Sequence, residues 1–319
     1  MKSALITGVT GQDGSYLAEF LLEKGYRVFG LVRRASTPNT GRIDHLLDRI
    51  SLIPGDMLDG DSLVDAVVAS QPDEVYHLAA QSDVGLSFRQ PILTAEVNAV
   101  GTVRLLEAIR REAPSARVYH ASTSEMFGNA AESPQSESTP FHPRSPYGSS
   151  KVYAHHMMVH YREAYSLFTS CGICFNHESA RRGHNFVTRK VAREVARIAS
   201  GHSQTFSLGN LLSRRDWGWA PDYVRGMWQM LQTEEPADFV LATGVSHSVQ
   251  DLVEAAFAVV DLPWSDHVQT DPSLHRPTEV DHLRGDASLA QDVLGWQPTL
   301  SFEQLVEHMV KAEMALLTP

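Results

Sequence analysis

Apolar residues follow two different spacings near the start of the chain. The run ALI is continuously apolar, as in a buried strand, and the glycine-containing stretch GVTGQDG follows it. Tyr16, Leu17, Phe20 and Leu21 then recur with the spacing of one helix face, and Gly25 is placed to end that helix. YRVFGLV has the character of a second strand. The pattern predicts a strand, a glycine loop, a helix and another strand.

The same alternation continues to about residue 176. Strands are predicted at ISLIPGD, EVYHLAA, ARVYHAS and FTSCGICF, and helices at DSLVDAVVAS, GTVRLLEAIRRE and SSKVYAHHMMVHYREAY. Strands that alternate with helices form right-handed crossovers and a parallel sheet covered on both faces. We therefore predict the α/β class, with a Rossmann-type doubly wound parallel sheet.

Beyond residue 176, loops rich in Arg, Gly and Asn alternate with short helices, and no internal repeat is visible. We expect a Rossmann domain over residues 1–176 and a smaller C-terminal part over residues 177–319. The C-terminal part is expected to bind mainly the substrate and to return some elements to the Rossmann domain.

Composition narrows the class of protein. The chain has 319 residues, 43% of them hydrophobic, and a net charge of −11, which argues against a nucleic-acid partner. No stretch approaches the roughly 18 apolar residues of a membrane helix, and MKSALITG fits a first strand better than a signal peptide. A soluble, cytoplasmic protein is expected. The arginines concentrated in the second half are consistent with a pocket for a small polyanion.

Two cysteines, Cys171 and Cys174, occur in SCGICFNHE. A zinc site would need further ligands, and a redox pair normally lies at a helix N-terminus. Because the flanking residues have the character of a buried strand, we interpret both as core thiols. His155 and His156 are expected at the surface or an interface, and no spacing predicts a metal site.

Gly8, Gly11 and Gly14 stand between the first strand and the first helix. Glycines at this position let backbone N–H groups approach a pyrophosphate at the helix N-terminus, which predicts dinucleotide binding. NAD-specific sites tend to carry an acid at the end of the second strand, but Arg33 and Arg34 stand there. Two guanidinium groups suit a 2′-phosphate, so we predict NADP.

Tyr147 and Lys151 form a Y-x-x-x-K pair at the start of a predicted helix. Residues four apart share a helix face, so the ammonium can hold the phenol near a nicotinamide ribose and lower its pKa. Thr123 ends the preceding strand, at the edge where such sheets bind ligands. This set predicts proton transfer coupled to hydride transfer at a sugar carbon.

The motifs GVTGQDG, LAAQS, STSEMFG and YxxxK resemble those of the extended short-chain dehydrogenase/reductases. The segments FNHES-RRG-NFVTRK, LGN--RRDWG, RPTEVD and LGW-P are more specific, and they resemble the GDP-mannose 4,6-dehydratase family from about residue 2 to residue 312. The resemblance implies a lyase of nucleotide-sugar metabolism that makes GDP-4-keto-6-deoxy-D-mannose. Such an enzyme oxidises C4, eliminates water across C5 and C6, and returns hydride to C6.

Glu125 separates this reaction from simpler ones. A ketone at C4 acidifies the C5 proton, and a carboxylate two residues after Thr123 is placed to remove it. A C4 epimerase needs no such base, although related decarboxylases also carry S-T-S-E. A C4 epimerase or related enzyme acting on another GDP-sugar remains the alternative. A non-catalytic NADP-binding protein is disfavoured because Tyr147 and Lys151 are both present.

The resemblance, together with the motifs, implies three sets of site residues. The catalytic set is Thr123, Glu125, Tyr147 and Lys151. The cofactor set is Gly8, Thr10, Gly11, Gln12, Asp13, Gly14, Arg33, Arg34, Asp56, Met57, Leu78, Ala79, Ala80, Ser82, Tyr147, Lys151, His177 and Arg182. The substrate set is Ser82, Thr123, Ser124, Glu125, Tyr147, Asn176, Val187, Lys190, Arg215, Arg276 and Glu279.

The sequence departs from the family pattern at Asp83, Asn98, Ala180 and Trp219. Asp83 replaces a histidine beside the expected sugar pocket, which leaves the hexose open. The resemblance also implies a homodimer or homotetramer, in which GTVRLLEAIRRE and SSKVYAHHMMVHYREAY pair across a four-helix bundle. Arg42 and its loop are expected to reach a neighbouring subunit's cofactor.

Overall fold

The computed structural model describes residues 1–37, 39–274 and 277–317. Within them a seven-stranded parallel sheet forms the centre, with strand order β11-β6-β5-β4-β1-β2-β3. The sheet strands are β1 (Ser3–Thr7), β2 (Arg27–Val32), β3 (Ser51–Pro54), β4 (Glu74–His77), β5 (Arg117–Thr123), β6 (Thr169–Cys174) and β11 (Phe239–Leu241). Short strands pair outside it: β7 (Asn176–Glu178) with β10 (Trp217–Trp219), β8 (Phe206–Leu208) with β13 (Val268–Thr270), and β9 (Arg214–Arg215) with β12 (His247–Ser248).

The helices of the described chain connect these strands. They are α1 (Gln12–Glu23), α2 (Gly60–Ser70), α3 (Val84–Arg89), α4 (Pro91–Ala95), α5 (Gly101–Glu112), α6 (Pro146–Tyr165), α7 (Val187–Ala199), α8 (Ala220–Met230), α9 (Val249–Ala258), α10 (Ser288–Leu294) and α11 (Phe302–Leu317). A single π-helical turn, Glu96–Val100, joins α4 to α5. No described helix combines the length and apolar character that crossing a bilayer requires.

Each face of the sheet carries its own apolar core. Leu5, Val75 and Val118 point to one face and pack with residues of α2, α5 and α6. Ile6 and Tyr119 point to the other face and pack with residues of α1 and α8. Because successive residues of a strand point to opposite faces, one strand supplies both cores. This is the doubly wound α/β fold that the alternation predicts.

A further core lies in the C-terminal part, where buried side chains of α7, α9 and α11 pack around Trp217 and Phe206. The C-terminal part also returns elements to the sheet. The strand β11 pairs with β6 at the sheet edge, and α8 packs against α1. The strands and helices predicted for the first 176 residues are present, although β4 is shorter than EVYHLAA.

Candidate active site

A cleft of about 970 Å³ runs along the carboxyl ends of the central strands. Its walls come from the loops after β1, β2, β4, β5 and β6 on one side, and from α7 and the loops around β8 and β9 on the other. Ligands of doubly wound sheets bind at this edge. The cleft therefore lies between the Rossmann fold and the C-terminal part.

The glycine loop forms one end of the cleft. Gly11 caps α1 without a side chain, and Gly11 to Gly14 line the cleft at the N-terminus of that helix. A Cβ on Gly14 would lie 2.3 Å from the Gly8 carbonyl oxygen and 2.6 Å from Val9 Cα, so only glycine fits there. Exposed N–H groups at a helix N-terminus bind phosphate, and this cradle fits a dinucleotide.

Two side chains of the loop tie it to β7. His177 Nε2 lies 2.9 Å from Asp13 Oδ2, and Gln12 Nε2 donates to the His177 carbonyl oxygen at 3.0 Å. Ser179 Oγ donates to Gln12 Oε1 at 2.9 Å. Burial opposes charge on His177, but Asp13 outweighs it and raises the pKa of the imidazole. His177 therefore supports the loop through a buried ion pair.

The arginines near the second strand differ in position. Arg33 and Arg34 are both exposed, but Arg33 lines the cleft and Arg34 lies outside its lining. Arg42 lines the cleft of its own chain, where Nε donates to the Arg181 carbonyl oxygen at 2.7 Å and Nη1 to that of Thr10 at 3.3 Å. The other predicted cofactor residues all line the cleft: Gly8, Thr10, Gly11, Gln12, Asp13, Gly14, Asp56, Met57, Leu78, Ala79, Ala80, Ser82, Tyr147, Lys151, His177 and Arg182.

Thr123, Tyr147 and Lys151 meet at the middle of the cleft. The Lys151 Nζ donates to the Ala121 carbonyl oxygen at 2.9 Å, and the Thr123 side chain is near enough to the Tyr147 phenol to affect its pKa. Ser145 caps the helix that carries Tyr147 and Lys151 by accepting from Gly148 N at 3.0 Å. The cap and the strand end thus set the relative positions of the three groups.

The ionisation of this set differs from the expectation. Burial raises the pKa of Tyr147 to about 12, against the opposing effect of the Thr123 hydrogen bond. Burial also lowers the pKa of Lys151 to about 8. The predicted lowering of the phenol pKa by Lys151 is therefore not found in this arrangement, where burial has the largest effect on Tyr147 and Lys151 is not among the groups that shift its pKa.

Glu125 lies at the same point of the cleft and is buried, at 9% exposure. It follows β5 in the short 3-10 helix Ser124–Met126, and its N–H donates to Thr123 Oγ1 at 3.3 Å. A Cβ on Gly148 would lie 2.7 Å from the Glu125 carbonyl oxygen. The glycine after Tyr147 therefore lets the start of α6 lie directly against the Glu125 backbone.

The other end of the cleft carries cationic side chains. Lys190 lines it from α7 and donates to the Ser207 carbonyl oxygen at 2.7 Å. Arg215 is buried and donates to the Val280 carbonyl oxygen at 2.8 Å. Asn176, Val187, Glu279, Ser82 and Ser124 also line the cleft. The predicted substrate residue Arg276 lies outside the described residues.

Buried carboxylates hold this end together. Glu178 Oε2 lies 3.1 Å from Arg182 Nε and accepts from Thr188 Oγ1 at 2.5 Å. Asp216 is fully buried and accepts from the N–H groups of Thr243 and Gly244 at 2.8 and 2.9 Å. Burial raises the pKa of Asp216 to about 6. Glu178 thus holds nearby residues together, whereas Asp216 joins segments that are distant in sequence.

Several lining residues were absent from the predicted sets, namely Gln81, Asn185, Asn210, Ser213 and Trp217. All five lie in or beside the segments LAAQS, FNHES-RRG-NFVTRK and LGN--RRDWG, so the motifs contained a signal for them. His155 was misplaced, because it is 6% exposed and its Nδ1 lies 3.0 Å from Ser122 Oγ, whereas His156 is exposed. Cys171 and Cys174 are buried free thiols, as predicted.

The fold, with a glycine loop and a Thr-Tyr-Lys set at the carboxyl edge of the sheet, defines an extended short-chain dehydrogenase/reductase. Residues 5–309 match the family model described as GDP-mannose 4,6 dehydratase. The GDP-mannose 4,6 dehydratase of Cricetulus griseus is 51% identical over 343 aligned positions, which cover 99% of this chain and 92% of that protein. The chain belongs to the GDP-mannose 4,6-dehydratase family.

Solved structures of lower identity share the fold. A Thermus thermophilus UDP-glucose 4-epimerase in complex with NAD superimposes with a TM-score of 0.86 at 24% identity, covering 98% of each chain. RMD from Pseudomonas aeruginosa, complexed with NADPH, gives a TM-score of 0.82 at 24% identity and covers 99% of this chain and 100% of that one. At these identities the likeness extends to the fold alone.

Proposed function

We propose that the protein is a GDP-mannose 4,6-dehydratase, which converts GDP-D-mannose to GDP-4-keto-6-deoxy-D-mannose and water. Membership of the family supports the activity. The observation that carries the mechanism is the buried carboxylate of Glu125 beside Thr123 and Tyr147 in one cleft. A simple C4 epimerase has no use for this additional base.

The residues divide the proton transfers between them. A nicotinamide dinucleotide bound at the glycine loop would accept hydride from C4 of the sugar and return it to C6. Tyr147 takes the proton of the C4 hydroxyl, with Thr123 orienting that hydroxyl. Glu125 removes the C5 proton that the C4 ketone has acidified, and then protonates the hydroxyl that leaves C6 as water. The proton that Tyr147 took from the C4 hydroxyl goes to C5 when C6 is reduced, which returns the residues to their starting states. Lys151 holds the nicotinamide ribose and keeps a positive charge near the phenol.

The cofactor is proposed to be NADP. The support is Arg33, which lines the cleft at the end of β2 where an NAD-specific site tends to carry an acid. We expect Arg33→Ala to weaken NADPH binding about 10-fold or more, because a charge-assisted hydrogen bond contributes about 1.5–3 kcal/mol. Arg34→Ala is the matched control, with little expected change. Titration of both variants with NADPH and NADH measures this, and wild-type protein that binds NADH as tightly as NADPH would contradict the proposal.

The GDP moiety is proposed to bind at the cationic end of the cleft, with Lys190 and Arg215 on the diphosphate. Both groups line the cleft from the C-terminal part, Lys190 on α7 and Arg215 on β9. Arginine and lysine form charge-assisted hydrogen bonds with phosphate oxygens. Asn176, Val187 and Glu279, with Arg276, complete the proposed site.

Mass spectrometry after incubation with GDP-mannose tests the reaction. A product one water lighter is the expected result, and an isomer of unchanged mass would indicate the C4 epimerase instead. Glu125→Gln should lower product formation about 10²–10⁴-fold, since general-base catalysis contributes roughly that much. Because C4 oxidation does not need Glu125, reduced cofactor should accumulate in this variant and be visible by absorbance. Glu254→Gln, on the exposed side of α9, is the control.

A homo-oligomer is proposed from the exposed apolar residues near α4, α5 and α6. Ile92 is 80% exposed, Val100 38% and Tyr153 49%. Exposed apolar surface of this kind favours protein contacts. Light scattering coupled to size exclusion should give a dimer or tetramer, and Tyr153→Glu should shift it toward the monomer.

A further inference from the structure

His155 occupies a buried position that the proposed reaction leaves without a role. It lies on α6 four residues after Lys151 and eight after Tyr147, so all three side chains share one helix face. The ring has contacts at both nitrogens. Nδ1 lies 3.0 Å from Ser122 Oγ on β5, and Nε2 lies 3.9 Å from Asp238 Oδ2 at the start of β11.

Asp238 connects this histidine to the rest of α6 and to β6. Its Oδ1 accepts from Arg162 Nη2 at 2.5 Å and from the Cys171 N–H at 2.8 Å. Arg162, near the end of α6, also donates from Nε to the Thr169 carbonyl oxygen at 2.7 Å. We call Ser122, His155, Arg162 and Asp238 the α6 clamp, because they fasten α6 to β5, β6 and β11.

The protonation state of His155 follows from its surroundings. Burial lowers the pKa of the imidazole to about 4, against the opposing effect of Asp238, so the ring is neutral at neutral pH. A neutral imidazole has one N–H and one acceptor nitrogen. The proton is favoured on Nε2, which faces the Asp238 carboxylate. With the proton on Nε2, Nδ1 accepts from the Ser122 hydroxyl.

The same residues could be compared with a metal site. His155, Cys171 and Asp238 present ligand atoms that all lie within 4.8 Å of one another. However, the Arg162 guanidinium already neutralises Asp238, and burial raises the pKa of the Cys171 thiol well above its usual range. A metal requires the thiolate, not the thiol. The chemistry of these groups therefore favours a hydrogen-bonded network.

Ser122 stands between the two residues of β5 that hold the catalytic side chains. The Ala121 carbonyl oxygen accepts from Lys151, and the Thr123 side chain is near enough to the Tyr147 phenol to affect its pKa. We propose that His155 is a positioning residue, which acts through Ser122 and Asp238 to fix α6 against β5 and so to place Lys151 and Tyr147. This rests on the proposed function only in taking Lys151 and Tyr147 as the catalytic pair.

The physical reason is the tolerance of proton and hydride transfer. A shift of about 1 Å in a reacting group can cost on the order of 10²-fold in rate. The turn of α6 that carries Lys151 is one turn from the His155 contact, so a rotation of the helix there moves the ammonium directly. GDP contacts at the far end of the cleft are not affected by this rotation.

Two substitutions test the proposal, one that keeps a ring without nitrogen atoms and one that keeps a polar atom without the ring. His155→Phe keeps a ring of similar size but removes both nitrogens, and His155→Asn keeps a polar atom near the position of Nδ1. We expect kcat to fall about 10–100-fold in His155→Phe, with KM for GDP-mannose within about threefold of wild type. His155→Asn should stay within about threefold in both constants. The same two substitutions at exposed His156 are the matched controls and should leave both unchanged.

Ser122→Ala provides the second variant, in case His155→Phe does not fold. It should lower kcat to a similar extent, and the double variant should be no slower than the slower single variant, because both remove one contact. Unchanged kcat in His155→Phe with only a lower Tm would overturn the proposal, and so would additive effects of the two substitutions. Stoichiometric zinc in the purified wild-type protein would also overturn it.

Measurement of NADPH affinity tests the role of His155 independently of the proposed function. If wild-type protein does not dehydrate GDP-mannose, the function fails, but Lys151 placement can still be measured by fluorescence titration with NADPH. His155→Phe and Ser122→Ala should then weaken NADPH binding several-fold, whereas His155→Asn should not. Equal affinity in all variants would overturn the positioning role.

Discussion

At the glycine-loop end of the cleft the surface is largely backbone, whereas at the opposite end it consists of charged side chains. Gly11 and Gly14 bring the start of α1 into contact with the cleft, and Gly14 has no room for even a methyl group. Lys190 and Arg215 instead reach the cleft as long side chains held by carbonyl oxygens of Ser207 and Val280. The two ends therefore differ in what a substitution can change.

Binding at one end depends on the shape of the backbone, whereas binding at the other depends on the charge of side chains. Backbone donors at a helix N-terminus are fixed by the fold, so binding there depends on the close approach that glycine permits. Side-chain cations depend on their own partners and on ionic strength, because exposed charges are screened by salt. Between the two ends stand Thr123, Glu125, Tyr147 and Lys151, where the proposed cofactor and sugar sites meet.

The largest loss of activity is expected for a substitution between the two ends of the cleft. Tyr147→Phe removes the proton acceptor but leaves both ends of the cleft intact, so kcat should fall about 10²–10⁴-fold. The affinities for NADPH and GDP-mannose should stay within about threefold. Steady-state rates and separate binding titrations measure the two quantities. A large loss of either affinity would mean that the phenol also organises that end.

Gly14→Ala tests the backbone end. The new Cβ would meet the Gly8 carbonyl oxygen at 2.3 Å, so the loop must move away from its phosphate-binding geometry. We expect NADPH affinity to fall about 100-fold or more, or the protein to unfold. Gly60→Ala is the matched control, since a Cβ there meets nothing within 4 Å. A Gly14→Ala protein with normal NADPH affinity would show that the loop does not bind the pyrophosphate.

Lys190→Met tests the side-chain end. Loss of a charge-assisted contact to the diphosphate should raise KM for GDP-mannose about 10-fold, with kcat nearly unchanged. Arg193→Met, one turn along α7, removes a partly exposed arginine that pairs with Glu194 and should leave KM unchanged. Added salt should raise KM of the wild type more than that of Lys190→Met. An equal salt response in both proteins would contradict the assignment of Lys190.

The smallest effect concerns stability in acid. Burial lowers the pKa of His77, beneath the cofactor end, to about 3 and that of His155 to about 4, both below the unfolded value near 6.5. The stability that these neutral rings contribute is fully present above pH 6.5 and is lost as pH falls toward the folded values. In that window the free energy of unfolding decreases by up to about 1.4 kcal/mol for each ring with every pH unit that the pH falls.

The contribution of His177 to stability has the opposite pH dependence, because Asp13 raises the pKa of its imidazole despite burial. Its contribution is present below pH 6.5 and declines as pH rises through the folded pKa. Urea unfolding between pH 4.5 and 8 measures both trends. His77→Gln should flatten the acid slope, and His156→Gln should not. An unchanged slope in His77→Gln would show that His77 is not buried in a neutral state.

Sequence patterns predicted the glycine-loop end better than the opposite end. The two periodicities and the glycine spacing fix where β1 and α1 lie, so the residues around Gly14 follow from short-range sequence. Asp216, in contrast, joins loops at Thr243 and Gly285, and no local pattern encodes such contacts. The lowered phenol pKa failed for a related reason. The spacing of Tyr147 and Lys151 shows that they share a face, but burial of that face depends on the whole fold.

His155 shows the same limit within one helix. The run AHHMM contains two histidines that sequence alone cannot distinguish, yet one faces β5 and the other faces solvent. The direction of a helix face is set by the packing of α6 against the sheet, which involves residues far away in the chain. At motif residues the family resemblance indicated which side chains belong to the site. His155 lies outside the motifs, so the resemblance did not indicate which way it faces.

The contacts from Gln12 and Asp13 to His177 and Ser179 have a consequence for the order of events in turnover. These contacts join the glycine loop to the C-terminal part through an ion pair and two hydrogen bonds, and any separation of the two would break all three. A dinucleotide held at the glycine loop would lie beside them. The oxidised dinucleotide is thus expected to behave as a resident group that persists through many catalytic cycles, and not as a second substrate.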